Sequence, residues 1–380
     1  MHMDVVWLAE IKWDYLRTRK QQLIRRRPEG TRILYLEPYV RGRENRYEVR
    51  EADGIQVATV PFLKAIPGGP LRALLDLAPA RGLVDTLALK RARRAMREAG
   101  VPNTPMVITS NVFAAPVAAA LDRSGIVYDC NDAHSAFPGM PSWTQQRFED
   151  TCRLADRVVV SARALGETVG AIRGSGDGVE AVGNGVDFPL FDRARHDLGE
   201  KPAGVTLGYL GAIAPWFDFA AMEAVAKAHP EWTVALTGPV MQGADASLAS
   251  LASLPNVSVA PAVSHDDVPA VLHGFTAGVI PFRYDTLTRG VNPNKMYEYL
   301  AMGLPVAATR FSPEVEQFPD AVFTGDDPAG FVLACERAIA LGTGEQREAF
   351  ADRAATIAAG TDWGAIAHRF WAVVARVAGR

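Results

Sequence analysis

The stretch LGYLGAIAPWFDFAAMEAVAKAHPEWTVALTGPV (residues 207–240) predicts a strand, a helix and a second strand in immediate succession. Its two apolar runs, LGYLG and TVALTGP, have the length of buried strands, and the segment between them has the length of a helix. Strands that alternate with helices imply a parallel sheet covered by helices on both faces. We therefore expect an α/β fold.

The same alternation runs through both halves of the chain and is interrupted by a linker at residues 188–204. The predicted helices of the first half cover residues 14–27, 81–99, 113–122 and 142–155. The predicted strands are DVVWLAE, RILYLEP, IQVATVP, PMVITS, GIVYDC and RVVVSA in the first half, and VTLGYLG, TVALTGP, NVSVAP, AGVIPF and PVAAT in the second. Two such series predict two doubly wound, Rossmann-like domains, in which ligands bind beyond the carboxyl ends of the strands.

We assign residues 1–195 and 196–360 to these two domains and residues 361–380 to a C-terminal helix. The helix is amphipathic, and its apolar face is expected to pack on a neighbouring element. The side chains that define this face are Trp363, Ile366, Phe370 and Val374.

The composition is that of an ordinary globular protein, with 48% hydrophobic and 22% charged residues among 380,. No run approaches the roughly 20 apolar residues of a membrane-spanning helix. The first residues also lack a basic segment followed by an apolar one, which favours the cytoplasm. Three scattered cysteines, Cys130, Cys152 and Cys335, predict reduced thiols and neither disulfides nor a zinc site,.

Charge is distributed unevenly along the chain. Residues 1–100 carry 20 Lys and Arg against 12 Asp and Glu, whereas residues 201–380 carry 12 against 18. The stretches RTRKQQLIRRR (17–27) and LKRARRAMREAG (89–100) predict helices with a basic face, which bind anionic membranes or anionic substrates. A solvated helix face is the alternative. Nucleic acid is not an expected partner, because no aromatic residues interleave with the basic ones.

A short helix is predicted in NPNKMYEYLAMGLPVAAT (residues 292–309). Asn292 suits the N-cap, Pro293 the first helical position and Gly303 the position after the helix, so the helix should cover residues 293–302. Three side chains share one face and should be core: Met296, Tyr299 and Leu300.

Lys295 and Glu298 share the other face of this helix. A surface ion pair is one interpretation, but Lys before Glu is the poorer order and a cation in the first turn opposes the helix dipole. A lysine fits there if an anion occupies the helix N-terminus, where free N–H groups attract phosphate. Glu298 could then accept hydrogen bonds from the vicinal hydroxyls of a ribose, so the pair suggests a nucleoside diphosphate site.

Several segments in the expected order resemble the GT-B glycosyltransferases, in particular family 4, the glycosyl transferases group 1 type. The stretch at 281–309 is similar to the donor-binding motif, GNGVDFPLF (183–191) to the interdomain motif and residues 207–240 to the opening of the donor domain. The pattern is most similar to the branch with teichuronic-acid-type and other bacterial exopolysaccharide enzymes. The resemblance implies two domains facing a cleft, the first for the acceptor and the second for the donor, with the C-terminal helix crossing back to the first.

Carried over residue by residue, the resemblance implies that Lys295 meets the donor diphosphate and Glu298 the ribose. It implies that the phosphates are lined by Asn294 and by the turn of Gly211, Ala212 and Ile213. Gly238 and Pro239 would shape the loop after the second strand, and Ala262 and Val263 would lie against the base.

Three departures from the family pattern concern charge. Gly290 stands where family 4 enzymes usually carry a Glu, Ala212 stands where they carry an Arg, and the nearby Lys is replaced within PWFDF. With the customary cations missing, Arg283 or Arg289 is the candidate to assist Lys295. The missing Glu leaves open whether the transfer inverts or retains anomeric configuration.

The catalytic candidates lie at the end of the predicted strand GIVYDC and just after it, in the first domain. The xanthan-type glucuronosyltransferases, an inverting GT-B group that the chain also resembles, use an Asp base in this domain. An inverting transfer needs one carboxylate to take the acceptor proton; the candidate is Asp132, with Asp129 or His134 as its orienting partner. These polar residues could instead cap the following loop. The expected acceptor-binding residues follow the first strand: Trp13, Asp14, Arg17 and Arg19.

Together these features predict a cytoplasmic glycosyltransferase, peripheral on the inner face of the cell membrane, that uses a UDP-sugar. The expected acceptor is lipid-linked or a polysaccharide precursor. No cofactor or metal is expected, because no DxD motif follows a strand and Lys295 with helix N–H groups can stabilise the leaving diphosphate. Two alternatives are a sugar-nucleotide epimerase of the same fold and an inactive nucleotide-sugar-binding protein.

Overall fold

The computed structural model describes residues 2–15, 17–63, 70–201 and 203–379. Leu16, Pro202 and Arg380, which fall in a predicted helix, the predicted linker and the predicted C-terminal helix, lie outside the described residues. The chain divides into unit 1, Met1–Gly183 with Ala367–Arg380, and unit 2, Asn184–Ile366.

The junction between the units differs from the boundary expected after residue 195. Residues 184–195 pack with unit 2, because Asn184 Nδ2 donates to Asn292 O at 2.7 Å and Phe191 is fully buried in the unit 2 core. At the other end unit 2 extends to Ile366, beyond the boundary expected after residue 360.

Unit 1 is built on one sheet that, within the described residues, has eight strands. They are β1 (Met3–Leu8), β2 (Thr31–Pro38), β3 (Arg50–Ala52), β4 (Ile55–Val60), β5 (Met106–Thr109), β6 (Gly125–Cys130), β7 (Arg157–Val160) and β8 (Val179–Ala181). Their order is β3-β4-β2-β1-β5-β6-β7-β8, and only the edge pair β3 and β4 is antiparallel. Every residue of β5 and β6 is buried, as expected for parallel strands covered on both faces,.

The helices of unit 1 cover this sheet. They are α1 (Arg19–Arg25), α2 (Pro70–Leu75), α3 (Ala78–Glu98), α4 (Ala115–Ala120), α5 (Thr144–Leu154) and α6 (Arg163–Arg173). The helices predicted from the sequence correspond to α1, α3, α4 and α5. Helix α1 is shorter than predicted because Thr18, its N-cap residue, is extended (φ −92°, ψ 179°).

Unit 2 is built on a parallel sheet of six strands over the described residues. They are β9 (Thr206–Leu210), β10 (Thr233–Thr237), β11 (Val257–Ala260), β12 (Ala277–Ile280), β13 (Val306–Thr309) and β14 (Val322–Gly325), in the order β11-β10-β9-β12-β13-β14. Its helices are α7 (Phe188–Phe191), α8 (Phe219–Ala228), α9 (Asp245–Leu251), α10 (Val268–His273), α11 (Asn294–Ala301), α12 (Pro328–Thr343) and α13 (Arg347–Ala359). The chain runs from β9 outward to β11 and returns to β12 on the other side of β9. This reversal places a crevice at the carboxyl ends of β9 and β12, where such sheets bind ligands.

Helix α14 (Trp363–Ala378) begins in unit 2 and continues in unit 1. In unit 1 Phe370 stacks on Trp7 with ring centroids 5.8 Å apart, and the Trp371 indole N–H donates to Leu23 O at 2.9 Å. The predicted apolar face is buried throughout, and the prediction that the C-terminal helix packs back on the first domain is confirmed. No helix among the described residues is long and apolar enough to span a membrane.

Candidate donor and acceptor sites

Helix α11 carries the two predicted donor contacts. Pro293 is extended (ψ 116°) and occupies the N-cap, so the predicted start at Pro293, behind an Asn292 cap, is wrong by one residue. Gly303 follows the helix as predicted, since it adopts φ +70° and its N–H donates to Leu300 O at 2.9 Å,. The predicted core side chains of this helix are fully buried: Met296, Tyr299 and Leu300.

Lys295 lies half-buried at the carboxyl end of β9, in the first turn of α11. Its Nζ is 5.1 Å from the ring centroid of Tyr209 and 4.7 Å from that of Phe282. Burial lowers the pKa of Lys295 to about 8, and the nearby Glu298 charge only partly opposes this shift. Among the described residues no carboxylate forms an ion pair with Lys295. An ammonium in this setting is desolvated without a partner, as an anion-binding group would be.

Glu298 lies one turn further along the same face and is also half-buried. Burial raises its pKa to about 7, against the smaller opposing effect of the Lys295 charge. A carboxylate that is partly removed from water favours hydrogen-bond donors such as hydroxyl groups. The two side chains therefore present an anion-binding group and a hydroxyl-binding group side by side.

The loops that follow β9 and β10 interlock beside Lys295. Gly211 N–H donates to Thr237 O and Ile213 N–H to Pro239 O, both at 2.9 Å. Gly238 adopts φ +149°, and a Cβ at that position would lie 2.1 Å from Gly211 O. The predicted phosphate loop is thus held by backbone contacts that require glycine at 238.

Gly211 brings backbone close to the Lys295 side chain. A Cβ at position 211 would lie 3.1 Å from Lys295 Cε, and Gly211 itself adopts φ +141°. The next residue, Ala212, accepts a hydrogen bond from Tyr209 Oη at 2.7 Å through its carbonyl oxygen. This fixes the ring over which Lys295 lies.

The remaining residues predicted to contact the donor differ in how far they are buried. Ala262 and Val263 are exposed after β11. Asn294 is half-buried, and within the described chain its buried Oδ1 has no hydrogen-bond partner. An unsatisfied acceptor on the first residue of α11 is a second polar group available to a ligand.

Arg283 and Arg289 are exposed in the segment between β12 and α11. Two hydrogen bonds of Thr288 hold this segment in place. Its N–H donates to Asp285 Oδ1 at 2.9 Å, and its hydroxyl donates to Arg283 O at 2.5 Å. Gly290, where the family pattern has a Glu, is buried. The two arginines are therefore borne on an ordered loop.

In unit 1 the carboxylate of Asp129 forms a buried ion pair. Asp129 is fully buried at the end of β6, and Arg19 Nε donates to its Oδ1 at 2.9 Å. Arg19 NH1 also donates to Gly183 O at 2.7 Å, which ties α1 to the last residue before unit 2. Arg19 and Asp129, predicted for the acceptor and for catalysis, thus form one buried ion pair.

Asp132 is half-buried in the loop after β6. Asn131 Nδ2 donates to its Oδ2 at 2.6 Å, and its backbone carbonyl accepts from His134 N–H at 3.0 Å. The His134 ring is buried and stacks on Phe137 at 6.4 Å. Of the three predicted catalytic residues, Asp132 alone has a partly exposed side chain.

The predicted acceptor residues after β1 have different environments. Trp13 is 4% exposed, and its indole N–H donates to Asp53 Oδ2 at 3.0 Å. Asp14 is exposed and accepts from Arg50 NH2 at 2.7 Å, and Arg17 is exposed. Their roles in acceptor binding stay predictions.

A buried charged cluster at the carboxyl end of β1 was missed by the sequence analysis. Glu10 forms an ion pair with Lys20, both almost fully buried, and accepts from Ser110 Oγ at 2.6 Å. The signal available was an acidic residue directly after a buried strand, in LAEIKW. Lys20 and Arg19 therefore lie inside unit 1 and do not contribute to the basic face predicted for the stretch at 17–27.

Comparison with known proteins adds independent findings. Residues 205–340 match the family model described as glycosyl transferases group 1. A Bacillus subtilis (strain 168) protein named as a teichuronic acid biosynthesis glycosyltransferase, TuaH, is 27% identical over 231 residues. That match covers 56% of this chain and 58% of TuaH.

Solved structures agree over nearly the whole chain. Sucrose-phosphate synthase from Thermosynechococcus elongatus gives a TM-score of 0.73 at 14% identity, covering 98% of this chain and 99% of that one. Trehalose 6-phosphate synthase from Burkholderia multivorans gives 0.72 at 14% identity, covering 100% and 99%. Anabaena HepE, solved with UDP and glucose, gives 0.68 at 16% identity, covering 98% and 100%.

These structures confirm the predicted GT-B fold with its two parallel sheets. The family match lies in unit 2 and includes β9 to β14 and the whole of α11. Over residues 205–340 the chain is therefore similar to the glycosyl transferases group 1 family, which is the class of enzyme that the sequence predicts.

Proposed function

We propose that this protein transfers a sugar from a UDP-sugar to a lipid-linked or polysaccharide-precursor acceptor, without a metal ion. The observation that carries the proposal is the Lys295 ammonium. It lies half-buried over two aromatic rings, in the first turn of α11, and among the described residues no carboxylate pairs with it.

In this proposal the donor diphosphate lies at the N-terminus of α11. Free N–H groups of the first turn and the Lys295 ammonium both attract phosphate oxygens. Gly211 lets the phosphates approach backbone, because no Cβ stands beside the Lys295 side chain,. Glu298 accepts hydrogen bonds from the ribose hydroxyls, and Asn294 Oδ1 accepts from a further donor group.

Support for uridine as the base comes from the solved relatives by fold. HepE was solved with UDP, and an Escherichia coli trehalose-6-phosphate protein was solved with UDP-2-fluoro glucose at a TM-score of 0.72 and 9% identity. The exposed Ala262 and Val263, after the edge strand β11, offer an apolar edge for the base.

The leaving diphosphate gains negative charge as the glycosidic bond breaks. Lys295 and the α11 N–H groups stabilise that charge in the transition state, which is the largest usual contribution to such catalysis. Asp132 takes the acceptor proton in an inverting transfer, because Asp129 is already held by Arg19,. Asn131, through its hydrogen bond, and His134 orient the Asp132 loop.

The acceptor is proposed from chemistry and from one distant relative. TuaH is named for teichuronic acid biosynthesis, which supports a polysaccharide-precursor acceptor. The acceptor would meet Asp14 and Arg17, which are exposed after β1. We also propose that unit 1 attaches the enzyme peripherally to an anionic membrane surface.

The test measures release of UDP from candidate UDP-sugars with a membrane or glycan acceptor pool. Lys295→Ala and Asp132→Asn should each lower the rate at least about 100-fold, since each removes a group used in the transition state. Lys227→Ala and Asp122→Asn, on exposed residues of the same two units, are the matched controls. Near-normal activity in both site variants, with folding intact, would show that the site assignment is wrong.

The same assay distinguishes the two alternatives. Conversion of the donor sugar without any acceptor, followed by NMR, identifies an epimerase. Thermal stabilisation by UDP with no turnover of any donor identifies a nucleotide-sugar-binding protein. Undiminished transfer in excess EDTA is expected, and loss of transfer that Mg²⁺ or Mn²⁺ restores would contradict metal independence.

A further inference from the structure

Helices α2 and α3 carry a concentration of exposed leucines. Leu74 is 52% exposed, Leu77 58%, Leu83 64% and Leu87 51%. These are four of the five leucines that are exposed among the described residues. Single exposed apolar side chains are common, but four exposed leucines within residues 74–87 are a concentration that an apolar partner would cover,. We call these four residues the leucine patch.

Two members of the leucine patch, Leu83 and Leu87, are followed by a basic stripe on the same face of α3. Leu83, Leu87, Lys90, Arg94 and Arg97 follow one another at spacings of three and four residues, which places them on one helix face,. All five are exposed. The N-terminal half of this face is therefore apolar and the C-terminal half is cationic.

Most of the positive charge on this stripe is not neutralised. Arg94 forms an ion pair with Glu98 at 2.6 Å. Across the part of the chain that is described, Lys90 and Arg97 have no acidic partner. Residues 70–100 as a whole carry seven Lys and Arg against three Asp and Glu.

The opposite side of α3 is anchored to unit 1, so the leucines cannot turn inward. Ala92 and Ala95 are fully buried in the unit 1 core. Asp85 pairs with Arg147 of α5 at 2.6 Å, and Arg81 lies over the Trp143 ring at 5.3 Å. Leu83 and Leu87 are therefore exposed to solvent on a helix whose opposite face is packed against unit 1.

We propose that the leucine patch with Lys90, Arg94 and Arg97 is the surface that docks on an anionic membrane. The leucines enter the boundary between headgroups and acyl chains, and the cations meet lipid phosphates at the same depth. A second copy of this chain is a poorer occupant, because it would bring the same uncompensated positive charge to the interface. The proposal rests on the proposed function only for the membrane-bound acceptor.

This assignment also identifies which of the two basic stretches is the membrane contact. In the stretch at 17–27, Arg19 and Lys20 are buried in ion pairs and Arg25 pairs with Asp53 at 2.7 Å. Each of these three charges is paired with a carboxylate, and only that of Arg25 lies at the surface. The cations of α3 are exposed beside apolar side chains, which is the arrangement of an interfacial helix.

The experiment is sedimentation of the full chain with vesicles of equal parts phosphatidylcholine and phosphatidylglycerol. We expect binding that falls with salt and is lost on pure phosphatidylcholine. Lys90→Gln with Arg97→Gln should weaken partitioning about 20-fold, since each cation near the surface contributes roughly fivefold. Leu83→Ser with Leu87→Ser should weaken it at least as much. Leu333→Ser and Arg369→Gln, exposed residues outside this surface, are the controls and should bind like wild type.

Partitioning of both double variants at the wild-type level would overturn the assignment, as would no binding of wild type at low salt. A dimer that light scattering detects and Leu83→Ser with Leu87→Ser dissociates would assign the patch to self-association instead. Stabilisation by UDP and UDP release with detergent-solubilised acceptor are measured on the same proteins. Loss of those activities in wild type with vesicle binding intact rejects the proposed function alone, and the reverse result rejects the membrane surface alone.

Discussion

Lys295 and Glu298 form a coupled pair whose charges must both be present for the proposed donor to bind. Burial lowers the Lys295 pKa to about 8 and raises the Glu298 pKa to about 7. Below pH 7 Glu298 becomes protonated and loses acceptor capacity, and above pH 8 Lys295 loses its charge. UDP affinity should therefore peak between pH 7 and 8 and fall on both sides, by up to about tenfold per pH unit.

Calorimetric titration of UDP across this pH range measures the profile. Glu298→Gln should flatten the acid limb and Lys295→Arg the alkaline limb, while the surface variant Lys227→Arg leaves both unchanged. An affinity independent of pH in the wild-type protein would mean that neither group meets the nucleotide.

The desolvated ammonium of Lys295 should also cost stability when no ligand is bound. Its lowered pKa means that the folded state holds the charged form less favourably than the unfolded state does,. The penalty is present below pH 8 and shrinks as pH rises toward the unfolded pKa. Lys295→Met should therefore raise the free energy of unfolding by about 1 kcal/mol at pH 7 while abolishing stabilisation by UDP.

Urea unfolding at pH 7 and pH 9.5 measures this effect, with Lys227→Met as the matched control. The gain should be smaller at the higher pH. A destabilised Lys295→Met variant would indicate that the lysine contributes more through packing over the aromatic rings than it costs through desolvation.

At the scale of single residues, the sequence could predict the types of charged group but not their partners. The order of Lys295 and Glu298 on a helix indicated an anion site without any knowledge of the rings beneath the lysine. From the sequence, Arg19 and Lys20 cannot be distinguished from the exposed basic residues beside them. Both nevertheless form buried ion pairs, Arg19 with Asp129 and Lys20 with Glu10. Such pairs depend on which strands are neighbours, and composition holds no information about that.

At the scale of elements, the interlocked loops after β9 and β10 are the most constrained part of the donor site. A Cβ at Gly238 would meet Gly211 O at 2.1 Å, and the backbone there is at φ +149°. Gly238→Ala should therefore displace the Gly211 loop and lower the free energy of unfolding by about 2–4 kcal/mol. UDP affinity should fall with it.

Gly204→Ala is the control for backbone strain alone, because Gly204 also has a positive φ (+90°) but nothing lies within 4 Å of its Cβ position. It should cost about 1 kcal/mol and leave UDP affinity unchanged. If urea unfolding gives equal losses of unfolding free energy for the two variants, the close approach of residue 238 to Gly211 O does not contribute to the loss.

The elements that the sequence predicted are those with long buried runs. GIVYDC and PMVITS match β6 and β5 because strands covered on both faces need continuous apolar sequence,. The three missed strands are short and partly polar or lie at a sheet edge: REA in β3, VEA in β8 and VFTG in β14. Edge strands bury only part of their surface, so their pattern is weak.

At the scale of the whole molecule, the fold is conserved in shape far beyond sequence. Sucrose-phosphate synthase shares 14% identity but superposes with a TM-score of 0.73 over 98% of this chain. The fold could be predicted from the order of strands and helices along the sequence, because that order is kept when individual residues change. The acceptor surface of unit 1 has no comparable motif, so its residues stay predictions.

Helix α14 makes unit 1 depend on the C-terminal residues of the chain, which truncation can test. Phe370 stacks on Trp7, Trp371 donates to Leu23 O, and Val377 fills the space beside Gly125. A chain ending at Ile366 loses these contacts from the unit 1 core while leaving Asn184–Ile366 complete. Removing two buried aromatic side chains costs roughly 6 kcal/mol or more, which is comparable to the stability of a whole domain.

The truncated chain should therefore show an unfolded or protease-sensitive unit 1, while UDP still raises the melting temperature of unit 2. A chain ending at Ala378, which keeps all of α14, is the control and should behave like the full protein. Thermal melting with and without UDP, combined with limited proteolysis, separates the two units. Simultaneous loss of UDP stabilisation would show that unit 2 needs unit 1 to fold, whereas an unchanged melting curve would show that the aromatic contacts of α14 contribute little.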